Sequence, residues 1–203
     1  MSPESTLMRI HQAARKEFRE RGFHGASLRS IVKSLGMTTG AFYGYYKSKE
    51  DLFAALVEDH YRYLLDRFRQ AQEEFAHLPY ACQPEVLGDF SGACMFDMLH
   101  YAYDHLEDCQ LLLCCAEGTR FAGLVDEMVQ IETDATHNYF QVLEELGRPV
   151  PDIDLRLEHI LITGMFRTFF EMIIHAMPLN EAENYLREMR AFYTAGWMKI
   201  MGQ

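Results

Sequence analysis

Between Thr38 and Lys49 the chain reads TTGAFYGYYKSK, a concentration of groups suited to touching another molecule. The hydroxyls of Thr38 and Thr39 can bond to base edges or phosphate oxygens, and the Ala41 methyl can meet a thymine methyl. Gly40 lets the backbone come close to a second surface. Tyr43, Tyr45 and Tyr46 combine an apolar ring with a polar tip. Lys47 and Lys49 follow, and ammonium groups suit phosphate. If Thr38 caps a helix, Phe42 and Tyr46 lie one turn apart and face inward, leaving Thr39, Gly40, Tyr43, Gly44 and Tyr45 on the opposite face.

A second set of reactive types is more scattered. The five cysteines are Cys82, Cys94, Cys109, Cys114 and Cys115. His105 and Cys109 are one helical turn apart, and Cys114 is vicinal to Cys115. No CxxC pair and no HExxH accompany them, so buried thiols acting as small hydrophobes are the plainer expectation. Metal- or thiol-based sensing stays as an alternative. The chain also lacks a glycine-rich phosphate loop, a GxSxG elbow and an acid/base pair within one segment. The expectation is therefore no enzyme, no catalytic residue, no metal and no cofactor. A helical small-molecule-binding protein or enzyme without DNA function is the alternative of another class.

The elements that must hold these groups read as helix nearly throughout. Leu7, Ile10, Ala14 and Phe18 recur at helical spacing up to Gly22. Ser27 is placed to cap a short second helix carrying Leu28, Ile31 and Leu35, and Gly36 stands where a left-handed residue ends it. Thr38 opens a third helix reaching Tyr45 or Tyr46. Ser48 opens a fourth, with Glu50 and Asp51 in its first turn, that runs to about Phe75. Further helices are expected over 85–106, 108–116, 121–146, 153–176 and 180–201. Strand alternation is weak.

Charge divides the chain unevenly. The formal net charge is −11, yet the first fifty residues hold nine Lys/Arg against four Asp/Glu. A basic head on an acidic body agrees with nucleic acid meeting the head alone. The start MSPESTLMRI lacks the basic and apolar regions of a secretion signal, and the odd cysteine count suits a reducing compartment. The expected location is cytoplasmic, with no membrane partner.

Two short helices joined by LGM after a longer one form the helix-turn-helix pattern. The stretch FRERGFHGASLRSIVKSLGMTTGAFYGYYKSKEDLFAAL, residues 18–56, resembles the N-terminal domain of TetR-type transcriptional regulators. The agreement lies in Phe18, Gly22-Phe23, Ser27, Ile31, Gly36 and GAFYGYYKSKEDLF, with their spacings. Gly44 departs from it, standing where the family more often carries a larger side chain. The resemblance implies an all-α fold, with a helix-turn-helix DNA-binding domain over 1–48 and a helical effector-binding and dimerisation domain over 49–203. It implies DNA contacts from Ser27, Arg29, Thr38, Thr39, Gly40, Ala41, Tyr43, Tyr45 and Lys49. It implies a homodimer on a palindromic double-stranded operator, acting as a repressor released by a small hydrophobic or amphipathic effector.

The remainder of the chain fills in the expected body. Residues 153–177 are apolar almost all round, and a stripe on the last helix matches them, so these two helices suit a four-helix dimer contact. Ile162, Phe169, Ile173, Tyr185, Met189, Tyr193 and Trp197 are the expected interface. The middle of the chain is rich in methionine, aromatics and thiols, which suits an adaptable apolar cavity. Met95, Met98, Tyr101, His105, Met128, His137, Phe140, Phe166 and Phe170 are its expected lining, with Phe90 in the same segment.

Overall fold

The structure is a computed structural model that describes residues 3–150 and 152–200; the Phe90 side chain and the expected final helical residue 201 lie outside the described residues. Among the described residues there are nine helices and no strand. They are α1 (Pro3–Gly25), α2 (Leu28–Ser34), α3 (Thr39–Phe42), α4 (Lys49–Ala76), α5 (Gln83–Asp104), α6 (Leu106–Cys115), α7 (Leu124–Glu145), α8 (Leu155–Ile174) and α9 (Leu179–Ile200).

Local chemistry accounts for most boundaries. Gly22 takes φ 65° and ψ 173°, which kinks α1 before its last residues. Gly36 takes φ 65° and closes α2. Such values lie in the left-handed and neighbouring regions that glycine enters without steric cost. Thr38 Oγ1 accepts from the Ala41 N–H at 3.2 Å, and Ser48 Oγ accepts from the Asp51 N–H at 3.0 Å. Asp154 caps α8 by accepting from the Arg156 and Leu157 amides. The third helix is shorter than its sequence suggests: it keeps helical bonding for four residues and then turns at Tyr43–Tyr45.

The chain forms two compact units. The first comprises residues up to Tyr63 together with His105–Gly123. Its core gathers Ile10, Phe18, Phe23, Ile31, Phe42, Phe53 and Leu112. Phe53 meets Phe18 edge-on at 5.0 Å and Phe23 at 5.4 Å between ring centroids. Edge-to-face pairs of this kind add about 0.5–1.5 kcal/mol beyond their burial. The second unit comprises Leu64–Asp104 and the chain from Leu124 onward. Its core includes Leu64, Phe68, Met98, Met128, Leu143, Ile162, Phe166, Phe169, Ile173 and Leu186. Phe68 and Phe166 meet edge-on at 5.1 Å. Helix α4 contributes its first half to one unit and its second half to the other.

Candidate nucleic-acid interface and effector cavity

In the first unit, Phe42 anchors α3 from below. It is fully buried, while Thr38, Thr39, Gly40, Ala41, Tyr43 and Tyr45 are all exposed. A Cβ built on Gly40 would meet nothing within 4 Å, so the helix start is bare backbone open to a partner. Tyr46 is half-buried, and its hydroxyl hydrogen-bonds with His11 Nε2 of α1 at 2.5 Å. That contact separates Tyr46 from its exposed neighbours and makes it part of the α1–α3 packing.

Two expected roles change on the atoms. Ser27 occupies the N-cap position of α2, but its hydroxyl makes no capping bond. Glu17 of α1 does the work: Oε1 accepts from the Ser27 N–H at 3.0 Å and Oε2 from the Ser30 hydroxyl at 2.8 Å. Glu17 is only 8% exposed, and its negative charge faces a helix N-terminus, where it is favoured. The only sequence signal was its place beside Phe18 on the inward stripe of α1.

Lys49 is the second correction. Its Nζ donates to the carbonyl oxygens of Phe23 at 2.7 Å, Ala26 at 3.2 Å and His24 at 3.4 Å, and lies 4.4 Å from the centre of the Phe23 ring. An ammonium has three protons, and three carbonyls beyond the α1 kink take them. Lys49 is therefore a staple between α4 and the end of α1 rather than a free cation awaiting phosphate. Arg29, Lys33 and Lys47 are exposed and make no ion pair among the described residues, so they are the open cations of this surface.

The same unit contains a tied ionic cluster. Arg15 of α1 donates to both oxygens of Asp108 in α6, at 2.6 and 2.7 Å. His60 Nε2 of α4 stands 3.7 Å from Asp108 Oδ2. Burial by itself would raise the Asp108 carboxyl, but the Arg15 hydrogen bonds, followed by His60, overcome it and hold the group at about 2. His105, expected in the cavity, instead occupies the N-cap position of α6, its ring 4.9 Å from that of His60.

In the second unit a cavity of about 130 Å³ opens among α4, α5, α7, α8 and α9. Its walls include Phe68, Phe75, Met95, Tyr139, Met165, Trp197 and the polar Gln72, Glu132, Thr136 and Arg190. Of the expected lining, Met95 is on this wall. Met98, Met128, Phe166 and Phe170 are fully buried in the packed core, and Tyr101, His137 and Phe140 are half-buried away from the cavity. His137 is turned toward α8, where it bonds with Glu158 at 2.9 Å. Each residue along a helix turns about 100°, so α8 meets the cavity through Met165 rather than Phe166 or Phe170, and α4 and α9, which supply most of the wall, carry none of the expected lining.

The expected dimer residues separate in the same way. Ile162, Phe169 and Ile173 are fully buried inside the single chain and offer no surface to a partner. Met189, Tyr193 and Trp197 line the cavity. Tyr185 is 52% exposed, alongside Ile160 at 63% and Phe192 at 73%, with Leu155, Leu157 and Met198 also outward. Among the described residues α8 and α9 thus do expose apolar surface, but of the expected interface residues only Tyr185 belongs to its exposed large side chains.

The thiols are mostly withdrawn. Burial pushes Cys94 and Cys109 up to about 12 and raises Cys115 as well. Among the described residues no group of three or more His, Cys, Asp or Glu side chains is arranged to hold a metal ion, and no helix is long and apolar enough to cross a membrane.

Comparison with known proteins places these features. Residues 10–56 match the family described as bacterial regulatory proteins, tetR family. The HTH-type transcriptional regulator UidR of Escherichia coli strain K12 is 38% identical over 202 residues, spanning 98% of this chain and 92% of its own length. An uncharacterized HTH-type transcriptional regulator of Bacillus subtilis, YdgC, is 49% identical over 51 residues, 25% of this chain and 26% of its own. SCO3833, a TetR-family member from Streptomyces coelicolor A3, superposes with a TM-score of 0.59 at 15% identity, over 91% of this chain and 88% of its own. A TetR-like regulator from Rhodococcus sp. RHA1 gives 0.54 at 15%, over 97% and 96%. At that identity the two structures establish the fold alone. The exposed α3 surface, the all-helical architecture and the near full-length relative agree: the chain belongs to the TetR family of HTH-type transcriptional regulators.

Proposed function

We propose that the chain is a homodimeric repressor that releases a palindromic operator when a small, mainly apolar effector enters the second unit. The observation that carries this reading is the contrast within α3, where a fully buried Phe42 supports exposed Thr39, Gly40, Ala41 and Tyr43. A rigid anchor under a bare helix start is what base readout in a major groove needs. Residues 1–48 form the DNA-binding part in this reading and 49–203 the effector-binding and dimerisation part, working in the cytoplasm and without catalysis. Arg29, Lys33 and Lys47 supply phosphate contacts, with Tyr43 and Tyr45 beside them.

Dimerisation uses the exposed sides of α8 and α9, centred on Ile160, Tyr185 and Phe192. Two copies then present two α3 helices, which must sit about 34 Å apart or a multiple of it to meet successive major grooves. Helix α4 carries the response: Gln72 and Phe75 border the cavity, and Leu52, Phe53 and Leu56 belong to the core of the first unit. An effector that binds one arrangement of α4 better than another shifts the population toward it. Sensing through Cys94 or Cys109 is disfavoured because both thiols stay protonated near neutrality, and the thiolate is the reactive form.

Selection of binding sequences from random duplex DNA tests the reading. An enriched palindrome is the expected result, and no enrichment sinks it. Sedimentation at micromolar concentration tests the assembly: a dimer is expected for the unaltered chain and a monomer for Phe192→Asp. A dimer that survives both Phe192→Asp and Ile160→Asp places the interface elsewhere.

A further inference from the structure

Glu132 is a carboxyl that the packing leaves half-finished. It stands on the cavity wall in α7, and its Oε2 accepts from Gln72 Nε2 of α4 at 2.8 Å. The Gln72 amide engages Oε2 and not Oε1. Next to it in charge is Glu158 of α8, which is 1% exposed and whose Oε1 is buried without a hydrogen-bond partner. Two acidic groups, one of them on the cavity wall, favour a ligand that brings a hydrogen-bond donor and positive charge.

The rest of the wall limits what can supply them. Phe75, Tyr139, Tyr193 and Trp197 present aromatic surface. An apolar cavity of about 150 Å³ accepts benzene, so about 130 Å³ admits a single ring or an aliphatic body of similar size. Arg190 is a cation on the same wall, but its guanidinium lies 5.8 Å from the Phe96 ring centre and fills the space over Gly92, where a Cβ would overlap Arg190 Cζ. Its charge is held against α5. Gln72 from α4 is neutral, and among the described residues α5 contributes Leu87 and Met95 to the lining.

We propose that the cavity binds a small primary amine on a single aromatic ring, its ammonium donating to Glu132 Oε1 and its ring seated among the aromatic walls. This rests on the reading of the chain as an effector-responsive regulator, and it names the chemistry of that effector. Aromatic faces attract a neighbouring cation, and a charge-assisted hydrogen bond in a half-closed site is stronger than a neutral one. A carboxylate of the same size would meet Glu132 on that wall as a like charge. An alcohol would keep the ring contacts and a neutral hydrogen bond only.

Proton linkage gives the proposal a signature. Burial pushes the Glu132 carboxyl up to about 7, with Glu158 adding to the rise and the Gln72 hydrogen bond opposing it. An ammonium requires the ionised form, so binding at acid pH must expel a proton.

Calorimetry on the full chain with 2-phenylethylamine, 2-phenylethanol and 3-phenylpropionate tests this directly. The amine should bind more tightly than either analogue, and about tenfold more tightly at pH 8 than at pH 6, with proton release at the lower pH. The alcohol should show little pH dependence. Glu132→Gln, which keeps the shape of the side chain, should weaken the amine about tenfold and remove its pH dependence while leaving the alcohol unchanged. Tighter binding of the propionate, unchanged amine affinity in Glu132→Gln, or no binding of any of the three at millimolar concentration overturns the proposal. If Glu132→Gln does not fold, the pH series on the unaltered chain decides alone. DNA selection without ligand is run in parallel. Amine binding as described in a chain that selects no DNA sequence supports the cavity chemistry and removes the regulator reading.

Discussion

Asp108 in the first unit and Glu132 in the second are both carboxyls drawn away from bulk water, yet they are held on opposite sides of their ordinary range. Asp108 meets a bidentate guanidinium and a histidine and is held at about 2. Glu132 meets one amide donor and a neighbouring carboxylate and is held at about 7. Burial disfavours charge in both, so the sign is set by the partners each fold supplies. The same contrast extends to their surroundings. Glu17, Lys49 and Asp108 in the first unit have partners on their charged atoms, as structural groups do. Glu132 in the second has a single amide donor, on Oε2, and stands on a cavity wall.

The sharpest way to break that contrast is to remove Arg15. Arg15→Met leaves Asp108 buried beside His60 alone and should cost about 3 kcal/mol, at the lower end for breaking a buried pair because Arg15 is 28% exposed. The pH dependence follows from the depressed carboxyl. Folded Asp108 releases its proton more readily than the unfolded chain does, so its contribution is fully present above the unfolded value near 4. It is lost as pH falls toward about 2 and is worth about 2 kcal/mol. Glu132 must show the opposite sign. Between the ordinary glutamate value and about 7 the folded chain holds a proton the unfolded chain has lost, so stability falls as pH rises through that window. Denaturant titrations from pH 3 to pH 8 check both signs. Glu132→Gln should flatten the upper window, and an unchanged profile would mean that Glu132 is ionised like a surface carboxylate.

Lys49→Met comes next. It removes hydrogen bonds to three carbonyls and a cation lying over the Phe23 ring, and should cost about 2 kcal/mol. The salt dependence of DNA binding should keep its slope. A slope lowered by about one with no loss of stability would return Lys49 to the phosphate-binding set. A smaller and opposite effect is expected at Ala176, which takes φ 47° in the turn between α8 and α9. That conformation costs an L-residue about 1 kcal/mol, so Ala176→Gly should stabilise the chain by up to that amount, read as a rise in melting temperature. Lys47→Ala is the smallest in stability, within about 0.5 kcal/mol, yet it should lower the salt slope of DNA binding by about one.

Much of the first unit was legible because its signals are local. Thr38 and Ser48 cap the helices they stand before, Gly36 takes the left-handed turn, and Phe42 goes inward because it follows Thr38 by one turn. Glu17 was not legible, since the amide it caps lies 10 residues away in another helix. In the second unit the apolar character of α8 and α9 was plain, but the side facing solvent was not. Ile160 and Ile162 are two residues apart and chemically identical, yet one is 63% exposed and the other fully buried.

The amino-acid sequence by itself determined the helices, most of their stops though not that of α3, the outward residues of α3 and the family. Those depend on periodicity, capping and turn chemistry, which act within a few residues. Only the tertiary structure decided that Lys49 staples α1, that Lys47 is the open cation beside it, that Glu132 faces a cavity while His137 turns to Glu158, and which face of α8 stays uncovered. Each of these depends on how far a helix is rotated against its neighbours, at about 100° per residue. That rotation is set by the packing of the whole core and leaves no mark in any short stretch of sequence.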